Sequence, residues 1–97
     1  DWGETVTATC TVWHGTEQVD TSSGWVWSVT RDSGSQAEDT AWNQSAKATA
    51  FNGTIALSFS SEENDLGLPD TSPYGTRFTF TATEAATRMR VIGTLSA

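Results

Sequence analysis

The sequence predicts an all-β fold: an antiparallel sandwich of six or seven short strands. Three observations carry that prediction. Several stretches alternate apolar and polar residues with a period of two, the mark of a strand with one wet face. Turn residues separate these stretches at short intervals, and no apolar pattern of helical period runs beyond two turns. The chain also holds 17 Thr and 11 Ser among 97 residues. Thr enrichment favours strands because a β-branched side chain suits a pleated, half-wet surface.

The elements follow in order. In ETVTATCTVW, Val6, Ala8, Cys10 and Val12 alternate with threonines, which gives a first strand with its threonines outward. Gly15 is a turn residue, and Gln18–Val19 is a short return segment. In WVWSV, Trp25, Trp27 and Val29 share one face, with Val26 and Ser28 on the other. The RDSGS stretch has turn chemistry. EDTAWNQSAKATAF is ambiguous: Asp39 or Thr40 could cap a helical turn, and the run reads as one irregular or helical turn. Ile55, Leu57 and Phe59 point to one side of the next strand. EENDLGLPDTSPYG, with both prolines, reads as a long loop or corner. Phe78, Phe80 and Ala82 face inward on the strand after it, and Glu84–Thr87 is a turn. In the last strand Met89 and Val91 share a face, and a bulge at Gly93 shifts the phase before Leu95. The expected core is Val6, Ala8, Cys10, Val12, Trp27, Val29, Ile55, Leu57, Phe59, Phe78, Phe80, Met89 and Val91.

Ninety-seven residues make one domain, 1–97, with enough length for a two-layer core without a metal or disulfide staple. The net charge of −7 argues against nucleic acid, which needs a basic patch, and against an anionic membrane surface. A single cysteine rules out an intrachain disulfide. Cys10 is expected to be an inert buried thiol. The missing initiator Met and signal peptide suggest a domain excised from a longer chain.

The order of features resembles an immunoglobulin-like sandwich. Cys10 takes the second-strand position, Trp27 the place of a buried Trp, and Phe80 or Ala82 the place of the absent second Cys, after the Asp65-Leu66-Gly67 corner. A narrower resemblance covers nearly the whole chain. VWHGTEQV, WVWSVTRDSG, DTAWN, IALSF and FTFTAT are similar to stretches of immunoglobulin-like domains in tail and minor structural proteins of phages and prophages. The resemblance implies a non-catalytic structural or adhesion module of a tail-associated protein, made in the bacterial cytoplasm and carried on the virion tail. It implies neighbouring domains of the parent chain as partners, with weak contact to host surface glycans. The rival readings are a carbohydrate-binding module of a secreted bacterial enzyme and a calcium-stiffened bacterial surface repeat.

The candidate sites divide between core and surface. Trp25 and Trp27 sit inside a strand, so one of them is expected to fill the space between sheets. Trp42 is expected to anchor its own loop. If exposed instead, it joins Trp13 and Tyr74 as the candidates for glycan or partner contact, because an exposed ring can stack on the apolar face of a sugar. Glu62, Glu63, Asp65 and Asp70 could gather around calcium, which wants six to eight oxygens, but the spacing lacks the D-x-[DN]-x-[DN]-G loop. They read as a solvated acidic loop. One His and one Cys do not make a structural metal cluster. His14 lies in a turn while Cys10 shares the buried face, so no nucleophilic dyad is aligned. No enzyme and no cofactor are expected.

Overall fold

The computed structural model describes residues 4–60, 62–67 and 75–96. Seven strands and two short helices occupy these residues: β1 (Glu4–Thr9), β2 (Val12–His14), β3 (Glu17–Val19), β4 (Trp25–Asp32), α1 (Gln36–Asn43), α2 (Ala46–Thr49), β5 (Thr54–Phe59), β6 (Arg77–Glu84) and β7 (Arg90–Ser96). All strand pairings are antiparallel. The all-β expectation therefore holds.

The strands form three small sheets. β1 pairs with β5, β2 with β3, and β4, β6 and β7 form a three-stranded sheet in that order. The two larger sheets supply a shared core. Ile55, Leu57 and Phe59 of β5 cluster with Val29, Phe78 and Phe80 of β4 and β6. Leu57 and Phe78 are fully buried at its centre. Alternation explains the arrangement: each inward residue is two positions from the next, so one face of every strand meets the other layer.

Gly53 shows how tightly the layers meet beside Trp27. Its φ of 115° favours glycine, and an added Cβ would lie 3.4 Å from the Trp27 ring. The Trp27 ring in turn meets Phe51 edge-on, with centroids 5.8 Å apart. Phe51 and Phe80 continue the aromatic contact at 5.6 Å.

Several expectations need correction. The 36–49 region forms two helices rather than one irregular or helical turn, and it buries Trp42 and Ala48. Ser45 makes the break between them. Its hydroxyl donates to the Trp42 carbonyl at 2.6 Å and accepts from the Ala48 amide, so it closes one helix and caps the next. Phe51 and Leu66 are core residues that strand alternation alone did not reveal. Conversely, Met89 and Val6 are exposed, at 56% and 41%, and Val91 at 38%. Met89 precedes β7 and lies beyond the layer that would cover it. Val6 shares the parity of Ala8 and Cys10, and Val91 lies opposite the buried Ala82, so both stand on inward-directed faces.

Cys10 and Trp27 are only half-buried, packed against the core from its margin. No bulge occurs at Gly93: the β6–β7 register runs unbroken, with Phe78, Phe80 and Ala82 opposite Leu95, Gly93 and Val91. Leu95 shares the phase of Val91 without any shift. The turn between β6 and β7 falls where expected, and there Arg88 takes a left-handed φ of 64°.

Candidate functional site

The exposed aromatic Trp13 marks the best candidate surface. The β2–β3 hairpin holds it outward. Val12 points into the protein, so its neighbour must point out, and Trp13 is 56% exposed. Its cross-strand partner is Gln18, and the next pair is His14 with Glu17. The indole does not swing freely: its Nε1–H donates to Thr11 Oγ1 at 3.0 Å.

Beside this ring lies an open, mainly apolar hollow of about 350 Å³. Trp13, Val19, Trp25 and Met89 give it apolar walls, with His14 and Glu84 as polar groups at its margin. The Glu84 carboxylate already accepts from the Thr87 hydroxyl at 2.6 Å, which orients it across the β6–β7 turn. The arrangement is suited to stacking on a flat apolar face, with a few hydrogen bonds around it. Met89, expected in the core, belongs to this surface.

Trp42 is the opposite case. It is 9% exposed and cannot act as a surface platform. Helix α1 places Asp39 and Trp42 three residues apart, so both face the strands. The Trp42 ring packs at an angle on Phe78, with centroids 5.3 Å apart. Its Nε1–H donates to Asp65 Oδ1 at 2.8 Å. Of the three proposed contact residues, Trp13 remains, Trp42 is buried, and Tyr74 lies outside the described residues.

In the acidic corner Glu62 and Glu63 are exposed, as composition implied, and Asp65 is the exception. Asp65 is buried and serves as a junction. Its Oδ2 accepts from the Ser58 backbone amide at 2.8 Å and from Lys47 Nζ at 2.6 Å, besides the Trp42 bond to Oδ1. Lys47 also bridges Glu63 at 2.6 Å. Partial burial works against the Lys47 charge, but hydrogen bonds to Asp65 and Glu63 outweigh it and raise its pKa. The backbone returns to the same corner: the amides of Asp65 and Leu66 both donate to the Ser58 carbonyl.

A second buried carboxylate closes the β4–α1 connection. Asp39 accepts from the Ser33 amide at 2.9 Å and the Ser33 hydroxyl at 2.8 Å. The buried Arg31 places its Nε 3.7 Å from Asp39 Oδ1. Asn43 accepts from the Arg31 amide at 2.8 Å. Asp39 is thus engaged within the protein, while among the described residues Arg31 Nε and Nη2 are buried without a hydrogen-bond partner and Ser33 lines an open hollow of about 340 Å³ with Thr76. Asp65 and Glu63 are engaged in the same way, and Asp70 lies outside the described residues. Among the described residues no group of three His, Cys, Asp or Glu side chains is placed to hold a metal.

Sequence reasoning missed both junctions. The one available signal was the spacing of Asp39 and Trp42 along a helix face. The distant partner Asp65 left no local trace.

Cys10 lies at the margin of the core, where burial pushes its thiol pKa up. It neighbours a second hollow rather than His14. Among the described residues no helix is long and apolar enough to cross a membrane.

The chain matches no known family model, no curated protein and no solved structure.

Proposed function

We propose that this chain is an immunoglobulin-like structural and adhesion module, non-catalytic, of a phage or prophage tail-associated protein. The strand order supports the immunoglobulin-like part. A β4–β6–β7 sheet facing a β1–β5 pair corresponds to the C–F–G and B–E strands of that architecture. The phage-tail part rests on the resemblance of the sequence motifs. In this reading the domain spaces or displays other parts of a virion tail, and its partners are neighbouring domains and host surface glycans.

The observation that carries the adhesion reading is Trp13: an exposed ring, held by Thr11, beside an apolar hollow. The buried polar residues support a structural role, since Asp39 and Asp65 hold elements together. The calcium reading finds no ligand set among the described residues.

The same Trp13 geometry favours the second reading, a carbohydrate-binding module. A glycan screen of the domain and of Trp13→Ala separates the two. Weak binding, on the order of millimolar, that is lost in Trp13→Ala fits the adhesion module. Much tighter binding to one glycan, lost in the same variant, replaces it with the carbohydrate-binding reading. No glycan binding at all removes the adhesion part.

A further inference from the structure

The side chains around the Trp13 hollow select the kind of group it can hold. The hollow lies between the β2–β3 hairpin and one end of the three-stranded sheet, with a volume of about 350 Å³. Small-molecule pockets span roughly 300–1,000 Å³, so this one suits a single small group rather than a long chain. Two indoles, Trp13 and Trp25, and the Met89 thioether border it. The rings that pack on one another in the core include neither of these indoles.

A carboxylate stands among these apolar walls. Glu84 lies directly opposite Trp25 in the β4–β6 register, so the two side chains share a face of the sheet. The backbone fixes the pair from both sides. The Ala85 amide donates to the Gly24 carbonyl at 2.9 Å, carrying the ladder past Trp25. The Glu84 amide donates to the Met89 carbonyl at 2.9 Å, and the Glu84 carbonyl accepts from the Arg88 amide at 2.8 Å. The Thr87 hydroxyl engages Oε1 of the carboxylate. Among the described residues no lysine or arginine forms an ion pair with Glu84. Arg88 and Arg90 flank Met89 in sequence, but neither lines the hollow.

Indole faces attract a cation, and a carboxylate beside them adds to that attraction. Which cation follows from what the hollow lacks. A calcium ion wants about six to eight oxygens, and among the described residues no group of three ligating side chains is placed to supply them. A primary ammonium loses the water on its N–H donors when it enters. Among the described residues only Glu84 and His14 offer polar side chains here to replace that water. A quaternary ammonium has no N–H to satisfy. Its charge is spread over methyl groups, which pack on indole, thioether and valine with little loss of hydration.

We propose that the hollow binds a quaternary ammonium group of the choline type, with Trp13 and Trp25 against its methyl groups and Glu84 as its counter-ion. The proposal rests on the reading of the Trp13 surface as a contact site for host-surface molecules. It names the group recognised there, carried as a substituent of a surface glycan or as a lipid headgroup.

The test titrates choline chloride into the isotope-labelled chain while NMR follows the indole N–H signals. The controls are ethanolamine, a primary ammonium, and the uncharged isostere of choline with tert-butyl in place of trimethylammonium. Choline should shift the Trp13 and Trp25 signals with a Kd of about a millimolar or below. It should bind at least about tenfold tighter than either control. Glu84→Gln keeps an acceptor for Thr87 but removes the charge. It should weaken choline at least about fivefold and leave the isostere unchanged. Trp13→Ala, at an exposed position, should weaken choline by a similar factor. Equal binding of choline and its isostere overturns the proposal, as does an unchanged choline affinity in Glu84→Gln. A neutral glycan that binds at Trp13 where choline does not also overturns it, and leaves the adhesion reading standing. Failure of both kinds of ligand removes both. Where choline binds, phosphatidylcholine vesicles and a saccharide bearing phosphocholine separate the two sources of the group.

Discussion

Replacing Asp65 with Ala should be among the most damaging single changes in this domain. The carboxylate is buried and receives three donors: the Trp42 indole, the Ser58 amide and the Lys47 ammonium. Lys47 is partly exposed, so its ion pair contributes at most about 1 kcal/mol. The other two bonds matter more. Each is a hydrogen bond to a charged acceptor, worth about 1.5–3 kcal/mol. Their loss leaves two donors without a partner in a dry corner. The expected cost is about 3–5 kcal/mol, a large share of the roughly 5–15 kcal/mol typical of a domain. Urea unfolding followed by circular dichroism measures it, with Trp42→Phe as the second arm of a double-mutant cycle. Phe keeps the ring against Phe78 but removes the indole donor, at about 1–2 kcal/mol. The double variant should be less damaged than the sum of the two, by about 1 kcal/mol. A loss below about 1 kcal/mol for Asp65→Ala, or additivity within about 0.3 kcal/mol, would refute the junction.

Other outcomes follow from single features. Arg88→Gly should raise the melting temperature, by up to about 1 kcal/mol of stability, because it relieves a left-handed φ in the β6–β7 turn; a lower melting temperature contradicts this. Cys10 should react with a thiol reagent more slowly than a free thiol at neutral pH, and faster as alkali forms the thiolate; Cys10→Val should retain the fold, which thermal melting checks. Lys47 is held protonated by the fold, so its contribution is complete below the unfolded pKa of about 10.4 and is lost as pH rises through the higher folded value. Lys47→Met should therefore flatten the alkaline limb of a stability–pH curve, and an unchanged limb would remove that assignment.

The strands were legible where alternation is strict. β5 and β6 each carry three inward residues in phase, and both were placed correctly with their faces. β1 and β7 show the limit of the method. Alternation reports which way a side chain points, not whether anything lies opposite it. Val6 and Val91 share the parity of inward residues, yet among the described residues they stay exposed. The helices were less legible because Ala-rich, Thr-containing segments favour neither state strongly, and a serine break decided their lengths. Trp42 was the hardest. Whether an indole anchors a loop or faces solvent depends on a partner for its N–H, and Asp65 comes from the far side of β5. Trp13 was easier, since its outward parity follows from its immediate neighbours alone.

The pairing of β1 with β5 also bears on the order of assembly. β1 is synthesised first, but its register runs from Glu4 opposite Phe59 to Thr9 opposite Thr54. It must wait until both helices and β5 exist. The β6–β7 hairpin, by contrast, closes across one tight turn. Closing a long loop costs entropy before any contact repays it, so local hairpins form early and distant pairs late. Refolding should therefore end with the docking of β1. Until then Leu57 lacks its cross-strand neighbour Val6, and the growing chain is most exposed to misassociation at β5.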